Sequence, residues 1–150
     1  MPTLLRNRKA YHDYEILEDF EAGIKLTGQE VKSIKEGRGD ITGAYVKPYG
    51  DYLSLIGMHL PPYSNAGKME GYDPKRSRVL LVNLKELKSL QGKVERQGYT
   101  LVPLKIYTKG TLLKLAIGLA RGKKHSDKRA DLIKEQQNRE MERLVKKKIV

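Results

Sequence analysis

Apolar residues recur over the first 120 positions in short runs with a period close to two, and this pattern predicts a body made mainly of strands. Residues 12–17 read as one strand, with Tyr14 and Ile16 on the same face. Residues 22–26 read as another, in which Gly23 suits a bulge. Residues 43–48 and 52–60 flank Tyr49-Gly50-Asp51 and predict a hairpin with a glycine-containing turn. A short apolar strand is expected over 77–82. A second hairpin is expected from 99–108 and 111–120 around Lys109-Gly110, with Pro103 marking an edge or a bulge in its first arm.

The period changes to that of a helix in two places. Thr27-Gly28-Gln29-Glu30 has capping-box spacing, Val31 and Ile34 follow one turn apart, and Gly37 ends the segment. Asn83 with Glu86 repeats the spacing, and Leu84, Leu87, Leu90 and Val94 form the apolar stripe of a second helix. Gly92 is expected to kink that helix and Gly98 to stop it. Many short antiparallel strands with few helices give an all-β expectation. The expected form is a small antiparallel barrel of oligonucleotide-binding (OB) type with two to three short helices, and a mixed α+β sandwich is the alternative.

Strand signals stop near Arg121, which divides the chain into an expected barrel over 1–120 and a flexible basic tail over 121–150. The tail holds eleven basic and five acidic residues, a net of +6 out of +12 for all 150 residues. Apolar residues such as Leu132, Ile133, Met141, Leu144 and Val145 are too sparse in it to offset the entropy of ordering it. Glu135, Arg139 and Arg143 stand at four-residue spacing, so a helix is accessible once a partner supplies contacts. A pI near 9.8 is the electrostatic footprint of a nucleic-acid binder. The absence of cysteine excludes a disulfide scaffold and thiolate metal sites and agrees with a reducing cytoplasm. The N-terminus lacks the apolar core of a secretory signal. The longest apolar-rich stretch, 111–120, is too short to span a membrane and is broken by Lys114 and Gly118. No membrane partner is expected.

No catalytic constellation is found. His12, His59 and His125 stand in separate segments without metal-ligand spacing. Asp13, Glu15, Glu18, Asp19 and Glu21 form an acidic patch. Strand alternation would spread these carboxylates over two faces as a solvated edge, while a metal-dependent nuclease would gather them around an ion. Gly67-Lys68-Met69 lacks the upstream glycine and the Ser or Thr of a phosphate-binding loop, and no Gly-x-Ser-x-Gly elbow occurs. The expectation is therefore no enzyme, no metal and no cofactor.

The cations point to RNA. Asn7-Arg8-Lys9 opens the body. Lys32, Lys35 and Arg38 recur at one-turn spacing along the first helix and form a candidate phosphate edge, although a solvated helix face would carry the same residues. Gly37-Arg38-Gly39 leaves Arg38 on open backbone, and Lys75-Arg76-Ser77-Arg78 adds cations before a strand. Nine tyrosines can stack on unpaired bases, though Tyr45, Tyr52, Tyr63 and Tyr107 suit packing equally well.

Several longer strings carry a resemblance. They are the runs 7–14 and 20–33, Asp73-Pro74-Lys75-Arg76-Ser77-Arg78 before an apolar strand, Gly98-Tyr99-Thr100-Leu101-Val102-Pro103-Leu104, and Ala120-Arg121-Gly122-Lys123-Lys124 followed by Asp127-Lys128-Arg129. In this order they closely resemble the bacterial tmRNA-binding family small protein B (SmpB), from about Asn7 into the tail. The resemblance implies an OB-like barrel, a tail disordered when free and helical on the ribosome, and a role in trans-translation. It implies binding to the D-loop region of the tRNA-like domain of tmRNA, which is delivered as alanyl-tmRNA with elongation factor Tu to ribosomes stalled on truncated message. It implies RNA contacts at Asn7, Glu21 and Leu81, with His12 as an addition. It further implies that Gly122, Lys123, Lys124, Asp127, Lys128 and Arg129 act in the decoding centre, with the tail in the empty message channel. Many family members have an aromatic residue or His directly before that Asp. Here Ser126 stands there and His125 precedes it, so the stacking role is left open between them. A general single-stranded RNA chaperone is the other RNA-based expectation, and it predicts strong salt dependence with little preference among RNAs.

Overall fold

A computed structural model of the chain describes residues 2–64 and 71–122, and these form seven strands and three helices. In chain order they are β1 (Thr3–Arg6), α1 (Arg8–Asp13), β2 (Tyr14–Ile24), α2 (Gly28–Lys35), β3 (Tyr45–Tyr49), β4 (Tyr52–Ile56), β5 (Arg78–Leu81), α3 (Leu84–Gln97), β6 (Thr100–Lys109) and β7 (Leu112–Gly122). The Gly67-Lys68-Met69 string and the tail residues Lys123, Lys124, His125, Asp127, Lys128 and Arg129 lie outside the described residues.

All strand pairings are antiparallel, in the order β1-β6-β3-β4-β5-β2-β7. Strand β7 also pairs with β6, so the ladder path returns to β6 and joins six strands in a ring. Strand β1 lies outside the ring on β6 and pairs with Lys105 to Tyr107, whereas β3 meets the same strand at Leu101. Pro103 falls between those two partners and begins the irregularity opposite β7, which is where a residue without an N–H can sit. The inward faces of the strands supply the core, with Leu53, Leu55, Leu80, Leu101, Ile106, Leu115 and Ile117 buried against Ile34 of α2 and Leu87 and Leu90 of α3. Gln91 of α3 donates to the Gly50 carbonyl at 2.8 Å and ties that helix to the β3–β4 turn.

Both expected helices are present with their caps. Thr27 accepts from the Glu30 amide at 3.2 Å and Glu30 accepts from the Thr27 amide at 3.0 Å, while Asn83 accepts from the Glu86 amide at 2.8 Å. Three expectations are corrected. The strands expected over 12–17 and 22–26 are parts of one long strand, β2. His12 lies not in it but in α1, a helix the apolar pattern does not announce, because Asn7 starts it by accepting from the Ala10 amide. Strand β1 is also unannounced, being four residues long. Leu84, in the first turn of α3, is exposed rather than part of the buried stripe.

Candidate nucleic-acid interface

Register brings the functional candidates of β2, β5, β6 and β7 onto one outward face. Glu21 pairs with Ala116, which pairs with Lys105. Two residues along, Gly23 pairs with both Leu81 and Lys114, and Lys114 pairs with Tyr107. Side chains alternate along a strand, so these two rows face outward together while Ala22, Leu80, Ile106 and Leu115 point into the core. Leu81 remains 58% exposed and lies directly beside Gly23, where an added Cβ would stand 3.4 Å from that of Leu81, in ordinary contact.

Glu21 is fixed within this face. The Tyr107 hydroxyl donates to its Oε2, and Lys109 donates to its Oε1 at 3.2 Å. The hydrogen bond from Tyr107 holds the Glu21 carboxyl below its ordinary range. Burial opposes this, and the hydrogen bond from Lys109 with the charges of Lys109 and Lys114 reinforces it. Tyr107 responds in the other direction, its phenol pushed up to about 12 by burial, by its bond to Glu21 and by the nearby acids Glu21 and Asp19. An oriented, ionised carboxylate of this kind accepts from base amino groups and repels phosphate. It borders a cavity of about 340 Å³ lined by Asp19, Phe20, Lys105, Tyr107 and Ala116.

Helix α1 caps one end of the face. Ala10 packs on Val102, Leu104 and Ala120. Asn7 joins the pieces: its amide donates to the Leu104 carbonyl at 2.8 Å, and its side chain donates to the Pro103 carbonyl at 2.8 Å and to that of Ile41 at 3.4 Å. Asn7 is 3% exposed, whereas Arg8 and Lys9 are exposed on the helix it starts. His12 turns Nδ1 toward Asp13 at 3.5 Å and buries Nε2.

The remaining cations gather around α2. Lys32 and Lys35 are exposed, Lys32 lies 5.5 Å above the Tyr63 ring, and Arg38 donates to the Pro62 carbonyl at 2.8 Å. Arg76 donates to Glu30 and keeps about a third of its side chain in solvent. Arg78 is fully buried, so the expectation that it adds to a cationic surface is corrected. It donates to Glu30 at 3.0 Å, to the carbonyls of Met58 and Pro74 at 2.9 and 3.2 Å, and to the Tyr72 hydroxyl at 3.3 Å. Burial alone would raise the Glu30 carboxyl. The hydrogen bonds from Arg76, Thr27 and Arg78 outweigh it and hold the pKa below the ordinary value.

The acidic patch is dispersed. Glu15 pairs with Arg121 at 2.7 Å, Glu18 with Lys93 at 2.8 Å and Glu21 with Lys109. No group of three or more metal-ligating side chains is found among the described residues, and no helix there is long and apolar enough to cross a membrane. The outward cations of β6 and β7, Lys105, Lys109 and Lys114, are the site residues that sequence reasoning does not single out, and Tyr107, read there as stacking or packing, is the residue that fixes Glu21. Their signal was the period of two in Lys105, Tyr107 and Lys109.

The comparisons agree with one another. The family described as SmpB protein matches residues 4–147. An SsrA-binding protein of Roseiflexus castenholzii is 46% identical over 142 residues, covering 95% of this chain and 90% of that protein. One from Dechloromonas aromatica is 49% identical over 142 residues and covers 95% of both. A solved structure described as "tmRNA-SmpB: a journey to the center of the bacterial ribosome" superposes with a TM-score of 0.68 at 48% identity, covering 83% of this chain and 87% of that one.

Proposed function

The chain belongs to the SmpB protein family, and on that premise we propose that it binds the tRNA-like domain of tmRNA and brings it to ribosomes stalled on truncated message in trans-translation. The observation that carries the reading is the outward face on which Glu21, held by Tyr107, lies with exposed Leu81 among Lys105, Lys109 and Lys114. Cations there meet phosphate, the carboxylate meets a base edge, and Leu81 packs against a base or ribose of the D-loop region. Recognition of this kind requires no catalytic group, metal or cofactor.

The ring of six antiparallel strands supports a closed barrel of OB type as the RNA-binding unit, residues 1–120. Asn7, buried beneath α1, serves by positioning Arg8, Lys9 and His12 on that helix. Lys32, Lys35, Arg38 and Arg76 form a second cationic edge at α2. The tail, 121–150, takes the empty message channel, with Gly122, Lys123, Lys124, His125, Asp127, Lys128 and Arg129 at the decoding centre, where their charge suits ribosomal RNA. Elongation factor Tu joins through alanyl-tmRNA, and the site of action is the cytoplasm.

The test is binding of the full-length chain to tmRNA, to an elongator tRNA and to a random RNA of equal length at physiological salt. We expect a clear preference for tmRNA. Equal binding to all three would leave a general RNA-binding barrel in its place.

A further inference from the structure

A second cleft opens beside the Glu21 face, between β1, α1 and β6, with a volume of about 450 Å³ and a lining of Arg6, Arg8, Tyr11, Leu104 and Lys105. That volume lies within the ordinary range of small-ligand sites. Arg6 and Lys105 are direct cross-strand partners in the β1–β6 ladder. Like charges placed opposite each other destabilise a ladder. Arg8 begins α1 one residue past Asn7, and Tyr11 follows it by three, so both lie on one side of the helix, where Tyr11 is 50% exposed.

Lys93, Lys109 and Arg121 all meet carboxylates. Among the described residues Arg6, Arg8 and Lys105 form no ion pair, and the Nζ of Lys105 lies 5.5 Å from the centre of the Tyr107 ring. Three cations that line one cleft without an ion pair, beside an exposed ring, make a locally positive site. An anion bearing a flat, stackable group suits it. Lys105 also lines the cavity bordered by Glu21 and Tyr107, so the two clefts adjoin.

We propose that this cleft is a binding site for one unpaired nucleotide of the tRNA-like domain, with Arg6, Arg8 and Lys105 holding its phosphate and Tyr11 stacking on its base. The proposal rests on the functional reading above and extends it from the Glu21 face to the outer side of α1. Phosphate neutralisation by Arg and Lys sets the salt dependence, and stacking on an aromatic ring adds affinity with little sequence selectivity.

The experiment measures binding of the tRNA-like domain, and of a random RNA, by the full-length wild type and by three full-length variants, each followed over a range of salt with its thermal melting recorded. Tyr11→Leu is expected to weaken binding on the order of ten-fold while Tyr11→Phe binds like wild type. Arg6→Gln combined with Arg8→Gln, which leaves the Glu21 face untouched, is expected to lower the slope of log affinity against log salt by about one. Its melting temperature should be unchanged or higher, because a like-charge pair has been relieved. A wild type that prefers the tRNA-like domain, with all three variants matching it in affinity and slope, overturns the site and leaves the functional reading intact. Equal weakening by Tyr11→Leu and Tyr11→Phe overturns the stacking role. A wild type that binds both RNAs equally overturns the functional reading, while the variants still decide the site.

Discussion

The Glu21 carboxyl is held below its ordinary pKa chiefly by one hydroxyl, that of Tyr107, and the consequence can be tested. A lowered carboxyl pKa means that the ionised acceptor is present above that pKa and lost as pH falls through it. Replacing Tyr107 by Phe removes the strongest lowering influence, so Glu21 then protonates nearer the ordinary carboxylate range. We expect Tyr107→Phe to bind tmRNA about five-fold more weakly near neutrality, the loss of about 1 kcal/mol typical of one hydrogen bond. Its affinity should also fall at a higher pH than that of wild type during acid titration. Glu21→Gln should cost more, and the double variant should be no weaker than Glu21→Gln alone, because Tyr107 acts through Glu21. Additive losses in the double variant would show that Tyr107 touches RNA independently. None of this linkage is legible from spacing: 86 positions separate the two residues, and only the β2–β7–β6 register joins them.

Among the elements, α2 and β5 show where sequence reading succeeds and where it stops. The capping box is a local signal at fixed spacing, so Thr27 and Glu30 announce α2 correctly. That Glu30 also receives Arg76 and Arg78 is not visible, because the partners lie 46 and 48 residues away and charged residues usually signify surface. Helix α1 escaped notice for a related reason. It is six residues long, too short to show a period, and it is held by the distant carbonyls of Pro103 and Ile41. Glu30→Gln separates the two duties of that side chain. Glutamine keeps the cap but leaves the Arg78 charge buried without a counter-charge, and we expect a loss of about 3 kcal/mol. Arg76→Gln, at a partly exposed pair, should cost under about 1 kcal/mol. Denaturant melts of both variants provide the measurement, and equal small losses would mean that water or the Tyr72 hydroxyl compensates Arg78.

Across the whole molecule, charge and architecture divide at different residues. The charge pattern changes near Arg121, but β7 runs to Gly122, which pairs with Tyr14, and Arg121 pairs with Glu15 at 2.7 Å. The overall class was legible because alternation, turns and caps are local. The ring closure through β6 and β7, which aligns Glu21 with Leu81 and Lys105, depends on register and was not. Residues 123–150 carry ten basic and five acidic residues, so removing them leaves about +7 of the original +12 on a chain that retains every described strand. If the barrel supplies recognition and the tail supplies ribosomal contact, the two functions separate at that cut. A chain ending at Gly122 should keep its preference for tmRNA over an equal length of random RNA while its overall affinity becomes less sensitive to salt. In a translation extract stalled on a truncated message it should fail to support peptide tagging. Tagging at the wild-type level would place ribosome engagement in the barrel itself, with the cationic edge of Lys32, Lys35 and Arg38 as the surface to test next.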